Sequence, residues 1–190
     1  CLGANVAIEF ASRYPARAAG LVLIEPMLPE ALRGHLRMIA HLRPLLRLAV
    51  PFALLLNALG LHRQWLPPLD LEALDRKTRA AMAAEHGRAV LVERYASPWL
   101  DLRTTPTTVY LQSLLALSGP LPDLTAIRVP VLALLSTGTT FTDPAITERR
   151  LAGLAQGRVV RLPAHHWIPT ECPVAMREAI DEWCAGATLS

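Results

Sequence analysis

Residues 1–26, CLGANVAIEFASRYPARAAGLVLIEP, predict a helix followed directly by a buried strand. Apolar residues recur at helical spacing from Leu2 to Tyr14, and Pro15 ends the helix because proline disfavours helical backbone in the residue before it. Leu21–Ile24 is apolar at every position, which is typical of a parallel strand that helices cover on both faces. The opening of the sequence therefore favours an α/β protein.

The rest of the chain continues this pattern. Two more apolar runs predict buried strands at Val129–Leu135 and Arg158–Leu162, and helices are predicted from Asp143 to Leu154 and from Pro173 to Trp183. Between the first two strands lies a long helical region, about residues 29–124, that prolines interrupt. Its predicted helices are Leu32–Leu48, Phe52–Leu61, Leu71–Tyr95 and Val109–Leu117. Alternating strands and helices of this kind indicate an α/β fold with a helical insertion.

Composition excludes several classes of protein. Of the 190 residues, 52% are hydrophobic, which is too many for a disordered chain. The formal net charge is +3, but the arginines are scattered and Lys77 is the only lysine. We therefore expect no nucleic-acid partner, since such proteins concentrate basic residues on one face.

The same composition bears on cellular location. The three cysteines are an odd number without metal-ligand spacing, which argues against a disulfide framework and favours a reducing compartment. The first residues lack the charged and then apolar pattern of a signal peptide. The most apolar stretch, Leu48–Leu61, contains Pro51 and is too short to span a bilayer. These features predict a cytoplasmic protein without a membrane span.

Four segments in this order resemble the α/β-hydrolase fold. Cys1–Asn5 resembles the nucleophile elbow, whose motif is Gly-x-Ser-x-Gly, with Cys in the place of Ser. Tyr14–Arg17 and Leu21–Pro26 are similar to the end of the following helix and the next strand. Leu162–Pro169, LPAHHWIP, resembles the loop that carries the catalytic histidine.

The resemblance implies a domain organisation. Residues 1–26 would form the elbow, helix and strand of the hydrolase core, and residues 27–125 a helical cap. Residues 126–190 would supply the remaining core strands and helices with the histidine loop. By this resemblance the chain supplies the C-terminal strands of a mostly parallel sheet.

The resemblance assigns Cys1 as the nucleophile. A thiol attacks as thiolate, and a helix N-terminus favours the thiolate through its dipole and unpaired N–H groups. The backbone N–H of Leu2 would form half of the oxyanion hole. Gly3 would be required because the elbow leaves no space for a side chain. The competing interpretation of Cys1 is a small residue that happens to begin the sequence.

The same comparison assigns His166 as the general base. Its neighbour His165 stands where the family usually has glycine, and the apolar Trp167 favours His166 as the catalytic one of the pair. Two solvated loop histidines are the alternative. We expect no metal, because adjacent side chains point apart and no third ligand is near in sequence, and no cofactor.

The triad acid has two candidates. The family's usual position follows the second strand, where Thr139 stands and cannot carry a charge. Asp143 is the nearest acid, but it precedes Pro144 and has a sufficient structural reason as a helix N-cap. Glu25 follows the first strand, where some capped members such as the haloalkane dehalogenases keep their acid. We favour Glu25; a solvated strand-end carboxylate is the alternative.

These residues predict an enzyme with a Cys1–His166–Glu25 triad that acts on an ester, thioester or related carbonyl. Cys nucleophiles in this fold occur in dienelactone hydrolases and polyhydroxyalkanoate synthases, so hydrolysis and acyl transfer both stay open. Apolar residues between Leu45 and Leu59 suggest a small hydrophobic substrate. The alternatives are carbon–carbon bond formation or cyclisation in secondary metabolism, an N-terminal-nucleophile hydrolase that uses the Cys1 amine as base, and a non-catalytic binding protein.

The start of the sequence raises an expectation about a partner. The strand Leu21–Ile24 would be a bare edge in a three-stranded sheet, and bare edges invite aggregation. We expect the N-terminal fragment of the same precursor to pair there as a second chain, after autoproteolytic cleavage before Cys1. The thiol would attack the preceding carbonyl, and hydrolysis would release the amine. A sequence that is only a piece of a longer chain explains the same features.

Overall fold

The computed structural model describes residues 1–62, 66–82 and 97–186. Its three strands are β1 (Leu21–Ile24), β2 (Val131–Ser136) and β3 (Gly157–Leu162). The helices, numbered in order along these residues, are α1 (Leu2–Arg13), α2 (Gly34–His41), α3 (Arg43–Ala58), α4 (Leu71–Met82), α5 (Pro98–Thr104), α6 (Thr107–Leu117), α7 (Pro144–Leu151), α8 (Ile168–Glu171) and α9 (Pro173–Gly186). Short 3₁₀ turns lie at Pro15–Arg17, Pro29–Ala31 and Leu124–Ala126.

The strands form one parallel sheet in the order β1-β2-β3. Leu21 is in register with Val131, and Val131 with Gly157. All six residues of the central strand β2 are buried. The predicted parallel sheet is thus present, with β2 one or two residues displaced from its predicted bounds, since Pro130 has no N–H to donate to a neighbouring strand.

Two apolar clusters cover the two faces of the sheet. On one face, α1 packs through Ile8 and Ala11 against alternate residues of β2, such as Val131 and Ala133. On the other face, Leu132 and Leu134 of β2 belong to a second cluster with residues of β3, the loop after it and the last two helices. Its buried members are Leu132, Leu134, Leu162, Ala164, Ile168, Ala179 and Trp183. A side-chain period of two explains why one strand serves both layers.

The chain divides into two compact units. The sheet and its helices belong to residues 1–40 and 117–190, and residues 41–116 form the second unit. This second unit is shorter than the predicted cap of residues 27–125. The segment after β1 stays with the sheet because Leu32 forms a bridge with Thr142 and Arg33 N–H donates to the Phe141 carbonyl.

The predicted helices Leu32–Leu48 and Phe52–Leu61 have other bounds in the structure. The helical region bends at Leu42 instead, where Pro44 lies in the first turn of α3, a position that proline tolerates. Helix α3 then continues through Pro51 to Ala58. The predicted helix Leu71–Tyr95 is described only as α4, and its part from residue 83 lies outside the described residues.

A helix that spans a membrane must reach a minimum length and a minimum mean hydropathy. No single helix reaches both values within residues 1–62, 66–82 and 97–186. Among the helices within these residues, α2 and α3 reach them only together, as a pair bent by 80°.

Candidate active site

The first strand ends at a residue with unusual backbone geometry. Glu25 follows Ile24 with φ of +49°, in the left-handed region that side chains other than glycine rarely adopt. Its N–H still donates to the Leu134 carbonyl at 3.0 Å, so the backbone turns immediately after the last bond with β2. Backbone strain of this kind persists where the surroundings hold it, and it is common at functional sites.

Glu25 and His166 form a buried pair. His166 Nδ1 lies 3.0 Å from Glu25 Oε2, and the two side chains are only 7% and 4% exposed. A carboxylate can only accept, so Nδ1 carries the hydrogen and Nε2 is the ring nitrogen left for another partner. The second carboxylate oxygen, Oε1, accepts from the backbone N–H of Ser136 at the end of β2. Both oxygens of Glu25 are therefore engaged.

A second carboxylate holds the histidine loop. The side chain of Glu171 is fully buried, and Oε1 accepts from the backbone N–H groups of His165 (2.9 Å), His166 (3.1 Å) and Trp167 (3.0 Å). Its Oε2 accepts from His165 N–H (3.0 Å) and lies 2.9 Å from His165 Nδ1. One acid thus binds three consecutive amides around His166.

These contacts decide the protonation of Glu171. Burial raises its pKa, but the hydrogen bonds from the His165 side chain and from the three backbone amides outweigh burial and leave the pKa lowered. Since the folded pKa lies below the unfolded one, Glu171 stabilises the fold above its unfolded pKa. That contribution is lost as the pH falls through the folded pKa.

Aromatic rings enclose the imidazole of His166. Phe141 contacts it edge-to-face, with ring centroids 4.8 Å apart and planes at 83°. Trp167 contacts it similarly at 5.6 Å and 90°. Phe141 and Trp167 also contact each other at 5.7 Å. Such packing restricts rotation of the imidazole and leaves the carboxylate of Glu25 as its polar partner.

Cys1 lies at the N-terminal cap of α1. Its residue is exposed, and its thiol contacts Met27 Sδ at 3.1 Å rather than His166. The carbonyl of Cys1 accepts the first helical bonds, from Ala4 at 3.0 Å and Asn5 at 3.4 Å. The N–H of Leu2 lies ahead of these bonds, as expected for the first residue of a helix.

Asn5 connects α1 with the segment after β1. Its side chain donates to the Met27 carbonyl at 2.8 Å and accepts from Met27 N–H at 3.1 Å, and the residue is 4% exposed. This two-way bond fixes the segment that follows Glu25 against the helix that Cys1 caps.

One cavity brings the predicted residues together. Its volume is about 470 Å³, and Cys1, Glu25 and His166 all line it. The rest of its wall is mostly apolar and includes Ala4, Ala7, Val22, Ile24, Trp167 and Pro169. The structure therefore brings the nucleophile, base and acid that the sequence predicts onto one space, with the thiol turned to Met27.

The alternative residues lie elsewhere or have other partners. Asp143 caps α7, accepting from Ala145 N–H at 3.0 Å and Ile146 N–H at 3.3 Å, and it lies 3.4 Å from Arg33. Thr139 is exposed. His165 pairs with Glu171 rather than with Glu25.

The steric reason predicted for Gly3 was wrong. An added Cβ at Gly3 would meet no atom within 4 Å among the described residues. The close approach lies at Gly138 instead, where a Cβ would stand 2.7 Å from His165 Cα and 2.9 Å from its carbonyl oxygen. The crowded glycine therefore supports the histidine loop rather than the helix start.

Sequence analysis missed Ser136, Phe141, Glu171 and Asn5. Ser136 contacts Glu25 and Phe141 contacts His166. Both partners are far away in sequence, so no neighbouring residue indicated these contacts. Glu171 did carry a signal, since an acid shortly after a loop histidine is within reach of that loop's amides.

No group of three or more His, Cys, Asp or Glu residues lies close enough to hold a metal ion within the described part of the chain.

The chain is similar in fold to several solved structures. A thermophilic esterase from Thermogutta terrifontis, in a malate-bound structure, has a TM-score of 0.53 at 19% identity, over 97% of this chain and 62% of its own. MGS-M2, an alpha/beta hydrolase enzyme from a Medee basin deep-sea metagenome library, has a TM-score of 0.56 at 17% identity, over 100% and 64%. Rv0554 from Mycobacterium tuberculosis has a TM-score of 0.56 at 18% identity, over 98% and 64%.

The chain thus spans 62–64% of the length of these structures. No protein-family model and no curated protein matches the chain. At such identities the likeness establishes the fold alone. The chain has part of the α/β-hydrolase fold, as the resemblance of its motifs predicted.

Proposed function

We propose that this protein is an α/β-hydrolase-type enzyme that attacks an ester, thioester or related carbonyl through Cys1, His166 and Glu25. The observation that carries the proposal is the buried His166–Glu25 pair, 3.0 Å from Nδ1 to Oε2, on the cavity that Cys1 also lines. A histidine oriented by a buried carboxylate beside a nucleophile is the arrangement that activates such nucleophiles.

Each residue then has a defined step. His166 Nε2 takes the proton of the Cys1 thiol, and the thiolate attacks the carbonyl carbon. Glu25 stabilises the imidazolium that forms. The tetrahedral intermediate collapses as the imidazolium gives its proton to the leaving oxygen or sulfur, which leaves an acyl thioester on Cys1. Water, activated by His166, releases the acid and regenerates the thiol.

This chemistry requires the thiol to leave Met27. Rotation about the Cα–Cβ bond of Cys1 changes its partner, and such rotamer changes are fast for exposed side chains. Catalytic contacts are often longer or misaligned before substrate binds.

Helix α1 supplies the charge stabilisation. The N–H of Leu2 lies in the first turn, where helical geometry leaves N–H groups without intrahelical acceptors. An oxyanion forming beside Cys1 meets this N–H and the positive end of the helix dipole.

The lining of the cavity supports a hydrophobic substrate. Apart from Cys1, Glu25 and His166, its wall is mostly apolar and includes Ala4, Ala7, Val22 and Ile24. Such a lining suits an acyl or other apolar group.

A covalent intermediate tests the proposal in the full natural chain. With p-nitrophenyl acetate and p-nitrophenyl octanoate as probes, rapid acid quenching and peptide mass spectrometry should find the acyl group on the peptide that contains Cys1. Cys1→Ala and His166→Ala should each abolish turnover, and the double variant should lose little more, because residues that act as one unit are not additive.

Cys184→Ala is the matched control, since Cys184 is also an exposed free thiol. It should keep full turnover. Undiminished turnover in Cys1→Ala would refute the nucleophile, and no turnover by the wild type would favour the binding-protein alternative.

Several expectations stay predictions. These are the choice between hydrolysis and acyl transfer, the second chain made by cleavage, the cytoplasmic location and a place in secondary metabolism.

A further inference from the structure

We infer that Glu171 is a positioning residue that holds His166 in line with Glu25 by binding the backbone on both sides of it. The inference rests on the proposed function, because it gives His166 its catalytic importance. Glu171 is five residues beyond His166 and does not contact the imidazole through any described hydrogen bond.

The geometry shows how the constraint works. Three consecutive amides, of residues 165, 166 and 167, converge on Oε1 of Glu171 at 2.9–3.1 Å. Consecutive N–H groups that point the same way form a concave turn, which suits one anion and is strained without it. Hydrogen bonds to an ionised acceptor are roughly twice as strong as neutral ones. The carboxylate therefore determines the backbone conformation at His166.

The backbone of Glu171 is itself held by a hydrogen bond. Glu171 N–H donates to the Trp167 carbonyl at 2.8 Å, so the side chain reaches back across a single helical turn. On the far side, Ser136 Oγ donates to the His165 carbonyl at 3.2 Å, and Gly138 N–H donates to the Ala164 carbonyl at 2.9 Å. The loop is thereby fixed through its N–H groups by Glu171 and through its carbonyls by the end of β2.

Burial makes this contact consequential. The side chain of Glu171 is 0% exposed, so its removal leaves three backbone amides without the acceptor that the fold provides. A shift of the loop lengthens the 3.0 Å bond between His166 Nδ1 and Glu25 Oε2. Misplacement by about 1 Å of a group on which catalysis depends can cost about 100-fold in rate.

Three variants at or near the site distinguish a positioning role of Glu171 from a purely structural one. Glu171→Leu fills the space without an acceptor and should lower kcat by about 100-fold with little change in KM. Glu171→Gln keeps one oxygen for the three amides and should retain most of the activity. His165→Ala removes only the side-chain contact, so it should cost much less than Glu171→Leu.

The matched control is Glu178→Leu, because Glu178 is an exposed glutamate on α9. It should leave kcat unchanged. All rates are to be measured on the full natural chain, well below each variant's Tm.

A spectroscopic readout makes the test independent of turnover. The proton between His166 Nδ1 and Glu25 should give a downfield ¹H NMR resonance, which should shift or vanish in Glu171→Leu and persist in Glu171→Gln and Glu178→Leu. If Cys1→Ala proves active, the proposed function fails, but this resonance still decides the role of Glu171.

Two results would overturn the inference. The first is a Glu171→Leu protein with lowered Tm but unchanged kcat and resonance, which is a purely structural role. The second applies even if that variant does not fold: in the wild type, the amides of residues 165–167 should exchange slowly with deuterium, and fast exchange of all three excludes the constraint.

Discussion

The neighbouring strands β1 and β2 end in loops that contribute different groups to the candidate site. After β1, Glu25 supplies a charged side chain to His166, on a backbone with φ of +49°. At the end of β2 and just beyond it, Ser136 and Gly138 contribute mainly backbone: Ser136 N–H donates to Glu25, and Gly138 N–H donates to the Ala164 carbonyl at 2.9 Å. One loop carries the acid and the other carries its support.

The comparison teaches where a triad acid can be placed. The carboxyl ends of adjacent parallel strands meet at one edge of the sheet. A carboxylate that follows β1 or β2 can therefore reach a histidine in the loop that follows β3. The position after β2 holds the exposed Thr139, and Asp143 nearby is occupied in capping α7. We therefore propose Glu25, in the position after β1, as the acid.

The largest expected effect comes from exchanging the two candidate acids for their amides. Glu25→Gln should lower kcat by about 10⁴-fold, because an amide cannot stabilise the imidazolium and can present a donor to His166 Nδ1. Asp143→Asn should leave kcat unchanged and cost at most about 1 kcal/mol of stability, since Asn also caps helices. Steady-state kinetics and urea unfolding measure both.

The opposite result reverses the comparison. If Asp143→Asn abolishes turnover while Glu25→Gln remains active, the acid belongs to the loop after β2.

A smaller effect tests the supporting role of the second loop. Gly138→Ala would place a Cβ 2.7 Å from His165 Cα, a backbone atom that cannot move without the histidine loop. We expect a loss of about 1–3 kcal/mol in the free energy of unfolding, as for other overpacked sites, together with a lower kcat. Urea unfolding and kinetics at a temperature where both proteins are folded provide the measurement.

Gly153→Ala is the matched control. Its Cβ would lie 3.5 Å from the Arg150 carbonyl oxygen, which is ordinary contact. Equal losses in the two variants would show that close contact with the histidine loop has no special cost.

Local patterns explain why the fold was predictable. Leu21–Ile24 is apolar at every position, which predicted a strand of a parallel sheet. That strand is present, although Val22 is 36% exposed among the described residues. Glu25 was predicted as the acid because the resemblance to capped α/β-hydrolases places one directly after this strand. The predicted gap between Leu48 and Phe52 was wrong, because α3 runs from Arg43 to Ala58 with Pro51 inside it.

The support of the site was beyond local pattern. The bond from Ser136 N–H to Glu25 joins residues 111 positions apart, and no periodicity links them. The same holds for Gly138, whose need for glycine comes from the backbone of His165, 27 residues later in the numbering. The steric argument for glycine was sound, but it was applied to Gly3, where the described residues leave space.

The reactivity of Cys1 tests the central claim most directly. Cys1 and Cys184 are both exposed free thiols, and Cys172 is half-buried, so accessibility does not favour Cys1 over Cys184. Among the described residues, Cys1 caps helix α1 and also lines a cavity with His166, the base that we propose. With limiting iodoacetamide at pH 7, peptide mass spectrometry of the folded full natural chain should show Cys1 alkylated fastest, because the thiolate is the reactive form. His166→Ala should reduce its rate towards that of Cys184; equal rates at Cys1 and Cys184 in the wild type would contradict the account.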